Sequence, residues 1–525
     1  MNVVTVLYAG DLAPEAFEPV FAGRSAFSLC LERAAAFPGG GPVLLLAGEE
    51  PLPEPAGSSR VIRRPRWTAA ELLALLSEES SGRDFAYYAW ADAPFLDPAL
   101  AGRVAGRHLR FAADYSYADG WPYGLAPELI TPGAAGILSK IAGDAGEGPV
   151  KRDTLFGVLQ RDINSFDIET EIAPVDLRYH RLSLTADSKR NLLLLTRFAG
   201  EEGKTDPEGT GSAEGIERII AGRPELLRTL PAFFPIQVSG PCPEAAGAGA
   251  GSCGLCPYPR FGGGRTDFME AADFDGILDK IEAFAGDAVI DLSLWGELAL
   301  HPRREDLIAG TLRRPALSLV IETSGYGWTA AALESAAREA AAAPARRNGL
   351  APLSWIISLG AAVLPGQAGG EPAALAETLV SLFPRHAGGE DRVYVEAVRT
   401  AGEEDAVERF YRAWKAFGSD HPGPGVIIQK YDSFCGLLPQ KQAVDLSPVE
   451  RRPCWHLMRD FPILMDGTVP LCREDLGPFP QAPGNIFRED PLAIWRRGEA
   501  AYLEQCAKNY RETCGACDEY YTFNF

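Results

Sequence analysis

Short apolar runs alternate with amphipathic stretches along most of this 525-residue chain. NVVTVLYA (2–9), PVLLLAGE (42–49) and FAYYAWAD (85–92) carry almost no polar face, as expected of strands buried on both sides. Between them SAFSLCLERAAAF (25–37) and TAAELLALLSEE (68–79) repeat apolar residues at helical spacing. This alternation predicts a parallel sheet covered by helices over residues 1–196. Residues 197–214, RFAGEEGKTDPEGTGSAE, are acidic and glycine-rich and read as a linker. Six more strand-like runs follow: FFPIQVS, AVIDLSLW, LSLVIETS, LSWIISLG, RVYVEAVR and GVIIQKY. Helical patterns such as FDGILDKIEAFAG, WTAAALESAAREAAAA and AALAETLVSLF separate several of them. Six strand–helix units predict a partial (β/α)6 barrel over 215–440, with chemistry on the loops after the strands. Residues 441–525 are short of helical periodicity and rich in cysteine, the pattern of a small domain stapled by a metal. No repeat at a solenoid period is present.

Charge and composition narrow the class. The net charge of −21 speaks against nucleic-acid binding, which needs an excess of Lys and Arg, and against anionic lipid. The N-terminus has no basic leader and no run nears 20 apolar residues, so the expectation is a cytoplasmic protein without a membrane span. In a reducing compartment clustered cysteines read as metal or redox sites. Eight of the ten fall within 242–256 or 454–517. Cys30 lies in a helical pattern and reads as a small core residue. Cys435 is isolated and receives little weight.

The loop GPCPEAAGAGAGSCGLCPYP (240–259) follows the first barrel strand and holds Cys242, Cys253 and Cys256. Three thiolates can hold a [4Fe–4S] cluster and leave one iron open. Half of a zinc site, a redox CxxC pair and plain packing residues are the competing readings. In position and in its CGLCPYP half the loop resembles that of the radical S-adenosylmethionine (SAM) enzymes. The family spacing is three residues and then two, whereas here it is ten and then two. SLWGELALHP (293–302) resembles the family's Gly-Gly-Glu-Pro segment, with Trp295 and Leu298 replacing the first glycine and the proline. The resemblance implies that Gly296 and Glu297 contact the SAM amino group, a charge-assisted pairing, and that Ser358, in IISLG, lies near the ribose.

The stretch PCWHLMRDFPILMDGTVPLCRED (453–475) reads as a hairpin turning at Asp466-Gly467, followed by GNIFREDPLAIWRRG and CGAC (514–517). This resembles the SPASM or twitch extension of radical SAM enzymes. The resemblance implies one closed auxiliary cluster on Cys454, Cys472, Cys514 and Cys517, with Cys506 spare; a structural zinc is the alternative. His456 reads as a packing or hydrogen-bonding residue.

Residues 12–34, 87–100, 120–130 and 181–195 resemble the cytidylyltransferase-like, glycosyltransferase-A type fold. That likeness implies a nucleotidyltransferase-like sandwich with Mg²⁺ at Asp92. The glycine-rich nucleotide loop is absent after LYAGD, and Arg24 is a lone cation there, so a binding or degenerate module is expected. Taken together, the chain resembles the spiro-SPASM proteins: 1–196 cytidylyltransferase-like, 197–214 linker, 215–440 radical SAM-like barrel, 441–525 cluster domain. The resemblance implies one or two [4Fe–4S] clusters, SAM, an electron donor, and radical modification of a peptide or sugar-nucleotide substrate. Two alternatives stay open: a non-catalytic iron–sulfur or zinc protein, and a nucleotidyltransferase with a regulatory C-terminal half.

Overall fold

The structure is a computed structural model that describes residues 1–53, 60–144, 148–205, 212–243, 255–258, 265–346, 349–366, 370–383, 392–417, 423–475 and 482–522. Cys253 lies outside the described residues. The chain forms two compact units, Met1–Thr229 and Leu230–Phe525. Both are α/β. Among the described residues no helix is long and apolar enough to cross a membrane.

The first unit is built on a seven-stranded sheet. Its strands are β1 (Val3–Ala9), β2 (Val43–Ala47), β3 (Arg60–Arg63), β4 (Phe85–Trp90), β5 (Tyr115–Asp119), β6 (Glu128–Ile130) and β7 (Ile168–Ile172), in the order β3-β2-β1-β4-β6-β5-β7. β1 to β4 pair in parallel and β6 runs antiparallel to β4 and β5. The side chains of β1 alternate faces: Val4, Val6 and Tyr8 enter one apolar cluster, Val3, Leu7 and Ala9 the other. Two cores on opposite faces explain why the β1 sequence has no polar side. Ser25 and Thr68 cap the helices Ala26–Ala35 and Ala69–Glu79 through capping boxes. Cys30 is fully buried in one of the cores. The stretch read as a linker begins as helix, because Lys189–Thr205 is continuous and Phe198 is fully buried. Residues 206–211 lie outside the described residues.

The second unit holds six parallel strands: β8 (Phe233–Pro235), β9 (Ala288–Asp291), β10 (Leu317–Thr323), β11 (Leu353–Leu359), β12 (Val393–Arg399) and β13 (Gly425–Lys430). Their order is β13-β12-β11-β10-β9-β8, an unbroken parallel progression with no closing pair among the described residues. All six coincide with the strand-like runs of the sequence.

The free edge of β8 is covered by residues 459–463. Ala232 N–H donates to Arg459 O (2.9 Å), Phe461 N–H to Phe233 O (2.9 Å), Ile463 N–H to Pro235 O (2.8 Å) and Gln237 N–H to Ile463 O (2.8 Å). The expected hairpin is thereby corrected. Its turn exists: Leu464 N–H reaches Thr468 O (2.8 Å) and Gly467 has φ 78°. Its arms, however, pair elsewhere, one along β8 and the other, β14 (Thr468–Val469), with β15 (Gly484–Asn485). An exposed parallel edge offers unpaired N–H and C=O groups, and covering it satisfies them.

Phe461 seats this strap. It is 2% exposed and its ring packs on Phe234 (5.7 Å), Phe284 (6.2 Å) and Trp495 (6.2 Å). Phe461→Ala is therefore expected to lower the stability of the second unit by about 3–5 kcal/mol. Urea denaturation followed by tryptophan fluorescence measures this, and a loss below about 1 kcal/mol contradicts the seating role.

Candidate functional site

The inner face of the six-stranded sheet is layered. Phe233, Val289, Val320 and Ile356 form an apolar floor joined by Tyr394 and Ile427, one residue from each strand. Two residues further along each strand, the same face presents Asp291, Glu322, Ser358, Glu396 and Gln429. This polar layer lies toward the C-terminal ends of parallel strands, where barrel enzymes place their chemistry. Burial pushes the Asp291 carboxyl up to about 7, with Glu322 adding to the rise. Burial likewise raises Glu396 to about 8 and also raises Glu322. Ser358 Oγ donates to Glu396 Oε1 at 3.3 Å.

The loop after β9 carries Trp295, Gly296 and Glu297. Trp295 and Gly296 are both left-handed, at φ 53° and 80°. A Cβ on Gly296 would stand 1.9 Å from Ser239 O, so only glycine lets this loop meet the one after β8. Glu297 is buried. Its Oε1 accepts from Thr323 Oγ1 (2.8 Å) and Ala299 N–H (3.2 Å), and its Oε2 from Ser324 N–H (3.0 Å) and Ser324 Oγ (2.7 Å). With four internal donors, Glu297 braces the loops after β9 and β10. Burial raises its carboxyl, and the Ser324 and Thr323 bonds oppose that.

Cys242 and Cys256 are half-buried on the loop after β8. Tyr258 ties that loop: its hydroxyl donates to Gly240 O (3.0 Å) and accepts from Gln237 Nε2 (3.0 Å). The Tyr258 ring stacks on Trp295 at 5.7 Å, and Trp295 lies 6.0 Å from Phe434.

Cys454, Cys472, Cys514 and Cys517 line one cavity of about 270 Å³, with Gln505 and Tyr520 in its wall. Gln505 Oε1 accepts from Cys454 N–H at 2.9 Å. Nearby backbone N–H groups, of Leu457 and His456 for Cys454 and of Glu474 for Cys472, act to lower these thiols. Burial nevertheless pushes both thiols up. Arg451, which also lines the cavity, lies between the Tyr510 and Tyr520 rings, 4.2 Å from each. His456 is engaged elsewhere, with Asp460 Oδ2 (2.7 Å) and Thr522 Oγ1 (3.0 Å).

Two further features join the thiols to the sheet. Arg473, next to Cys472, lies among Glu474, Glu519, Asp432 and Glu322. The carboxylates of Asp432, Asp518 and Glu519 lie within 4.8 Å of one another, and Lys430 bonds both Asp518 (3.2 Å) and Glu519. This trio is thus already answered by resident cations.

In the first unit Asp92, fully buried, follows β4. Arg152 holds both of its oxygens (3.1 and 2.5 Å) and reaches Asp187 at 3.2 Å. Arg152 also stacks over Trp90 at 4.4 Å. The Mg²⁺ expected at Asp92 does not fit this geometry, because a guanidinium already takes both carboxylate oxygens. Arg24 is bonded to Glu32 at the surface.

No family model matches the chain. A protein of Treponema pallidum (strain Nichols), described as uncharacterized, is 36% identical over 382 residues, covering 71% of this chain and 98% of its own length. The chain belongs to the family of that treponemal protein. Among solved structures it is similar to a cytidylyltransferase from Leptospira borgpetersenii serovar Hardjo-bovis (strain JB197), at 15% identity over 43% of this chain and 96% of that one, TM-score 0.36. It is also similar to BtrN in complex with AdoMet and 2-DOIA, at 15% identity over 55% of this chain and 94% of that one, TM-score 0.34.

Of the residues expected from sequence, Gly296 and Glu297 lie on the loop after β9, Ser358 on β11, and Cys454, Cys472, Cys514 and Cys517 on one cavity. Sequence reading missed Asp291, Glu322, Glu396 and Arg473, whose shared face depends on strand register. A period-2 count along the six strands would have found the acids.

Acids raised by burial keep their protons in the folded chain at pH values where the unfolded chain has released them. Stability of the second unit therefore falls as pH climbs from the ordinary carboxylate range near 4 toward 7–8. Asp291→Asn removes one such group and should flatten the fall by up to about 1 kcal/mol per pH unit. Urea midpoints at about pH 5, 6 and 7 test this; parallel wild-type and variant profiles would refute it.

Proposed function

We propose that the chain is an iron–sulfur protein of the radical SAM type, with a closed cluster in the C-terminal cavity and an open one on the loop after β8. The observation that carries the reading is the convergence of Cys454, Cys472, Cys514 and Cys517 on one cavity. Its 270 Å³ is several times the ~30 Å³ share of one water. Among the described residues no three thiol sulfurs lie within 4.8 Å of one another. Tetrahedral zinc, at ~2.3 Å from each sulfur, draws its thiolates to about 3.8 Å apart. Tetrahedral zinc on the same four thiolates is the alternative, and iron, sulfide and zinc content separates the two.

Cys242, Cys253 and Cys256 would hold the open cluster, and the SAM site would lie against Gly296 and Ser358. Bound there, SAM and the cluster supply one-electron cleavage of the sulfonium bond and hydrogen abstraction from a substrate. The protein's part is geometry. Gly296 lets the loops after β8 and β9 close up, and Glu297 fixes the loop after β10. Protonated Asp291 and Glu396 can donate as well as accept hydrogen bonds toward a polar substrate. A peptide or a sugar nucleotide remains the substrate class, and an electron donor is a required partner. A cytoplasmic setting belongs to the same reading, because thiolate ligands need a reducing compartment. The first unit, with Asp92 closed by Arg152, is a binding module in this scheme.

The test is the EPR spectrum of the anaerobically reconstituted, reduced protein, recorded with and without SAM, together with assay for 5′-deoxyadenosine. A signal changed by SAM and deoxyadenosine formation are expected. Iron bound with no response to SAM would remove the open cluster and leave a non-catalytic iron–sulfur protein.

A further inference from the structure

Arg451 ties together the segments that carry Cys454, Cys514 and Cys517. It stands just before Cys454 on the chain. Its guanidinium lies 4.2 Å from the ring of Tyr510, just before Cys514, and 4.2 Å from that of Tyr520, just after Cys517. Its Nη2 donates to Cys514 O. The backbone repeats the linkage, because Trp455 N–H donates to Tyr520 O (3.2 Å).

Arg451 also brings an unanswered charge to the cavity that it lines. A guanidinium stays protonated in proteins. Among the described residues no carboxylate pairs with it, and its buried Nε has no hydrogen-bond partner. The two tyrosine rings attract it through their faces but supply no counter-charge. Other charged side chains of the wall are placed differently. Arg511 is engaged in a bidentate pair with Glu504 (2.6 and 3.2 Å), and Glu474 pairs with Arg473 (3.2 Å). Asp475 and Glu512 complete the charged lining, and neither pairs with Arg451. A half-buried cation without a partner is costly unless an anion answers it.

Resting on the reading of the cavity as a cluster site, we propose that Arg451 is a positioning residue whose fixed positive charge on the cavity wall raises the reduction potential of the cluster held there. Reduction adds one electron to a group already bound by four thiolates. A cation beside it favours that more negative form. The tyrosine rings hold the guanidinium in place without cancelling its charge.

The experiment uses the full chain, reconstituted anaerobically with iron and sulfide, as wild type, Arg451→Lys and Arg451→Gln. Lysine keeps the charge, whereas glutamine keeps a donor for Cys514 O and removes the charge. Iron and sulfide are counted, and the potential is read by EPR-monitored titration of the signal that disappears in Cys472→Ala. All three proteins should bind equal iron. Arg451→Gln should titrate at a more negative potential, and Arg451→Lys should stay near the wild type. An unchanged potential in Arg451→Gln overturns the proposal, as does a lysine variant shifted as far as the glutamine one, which would indicate packing. Loss of iron from Arg451→Gln also overturns it, because Arg451 would then be a brace for the cavity. A wild type that takes up no iron refutes the cluster reading itself, and this inference with it.

Discussion

Strand β8 is paired on both sides, and the site depends on that double pairing. On one side it joins β9; on the other it accepts the strap at 459–463. The loop bearing Cys242 and Cys256 leaves from its C-terminal end, and the strap carries Cys454 before it and Cys472 after it. Two cysteine groups roughly 200 residues apart in sequence are thus indexed to one three-residue strand. Each of the four strap hydrogen bonds contributes only about 1 kcal/mol net. The ring of Phe461, packed on Phe234, Phe284 and Trp495, keeps the strap in register.

The loops beyond the strands extend the same logic. Gly296 allows a contact with Ser239 that any other residue would block. Trp295, pressed between Tyr258 and Phe434, then links the first cysteine loop to the turn of Cys435. Arg473, beside the cavity-lining Cys472, pairs with Glu474 and approaches Asp432 and Glu519. Crowding the buried Asp291 and the half-buried Glu322 and Glu396 onto one face is costly when they are charged, and holding them protonated lowers that cost. The layer is therefore neutral enough to bury and polar enough to bind.

The strands were legible because buried parallel strands write themselves as unbroken apolar runs. Glu297 and Ser358 were read through the resemblance of SLWGELALHP and IISLG to segments of the radical SAM enzymes. The acids were not legible, because Glu322 and Glu396 stand inside the apolar-rich runs LSLVIETS and RVYVEAVR, and only a period-2 count taken across the neighbouring strands sets them on one face. The hairpin was half legible: Asp466-Gly467 marks the turn, but nothing local says that the arm before it pairs with β8. In the first unit, Asp92 was found as a strand-end acid, and its partner Arg152 could not be read from a position 60 residues later.

The central claim is that the C-terminal cavity is a cluster site held by four converging thiols. The most direct measurement is iron, sulfide and zinc per chain in anaerobically prepared wild type and Cys472→Ala, both shown folded by circular dichroism. The account predicts that the variant holds about four fewer irons and four fewer sulfides than the wild type. Equal iron in the two proteins, or about one zinc and no sulfide in the wild type, would contradict it.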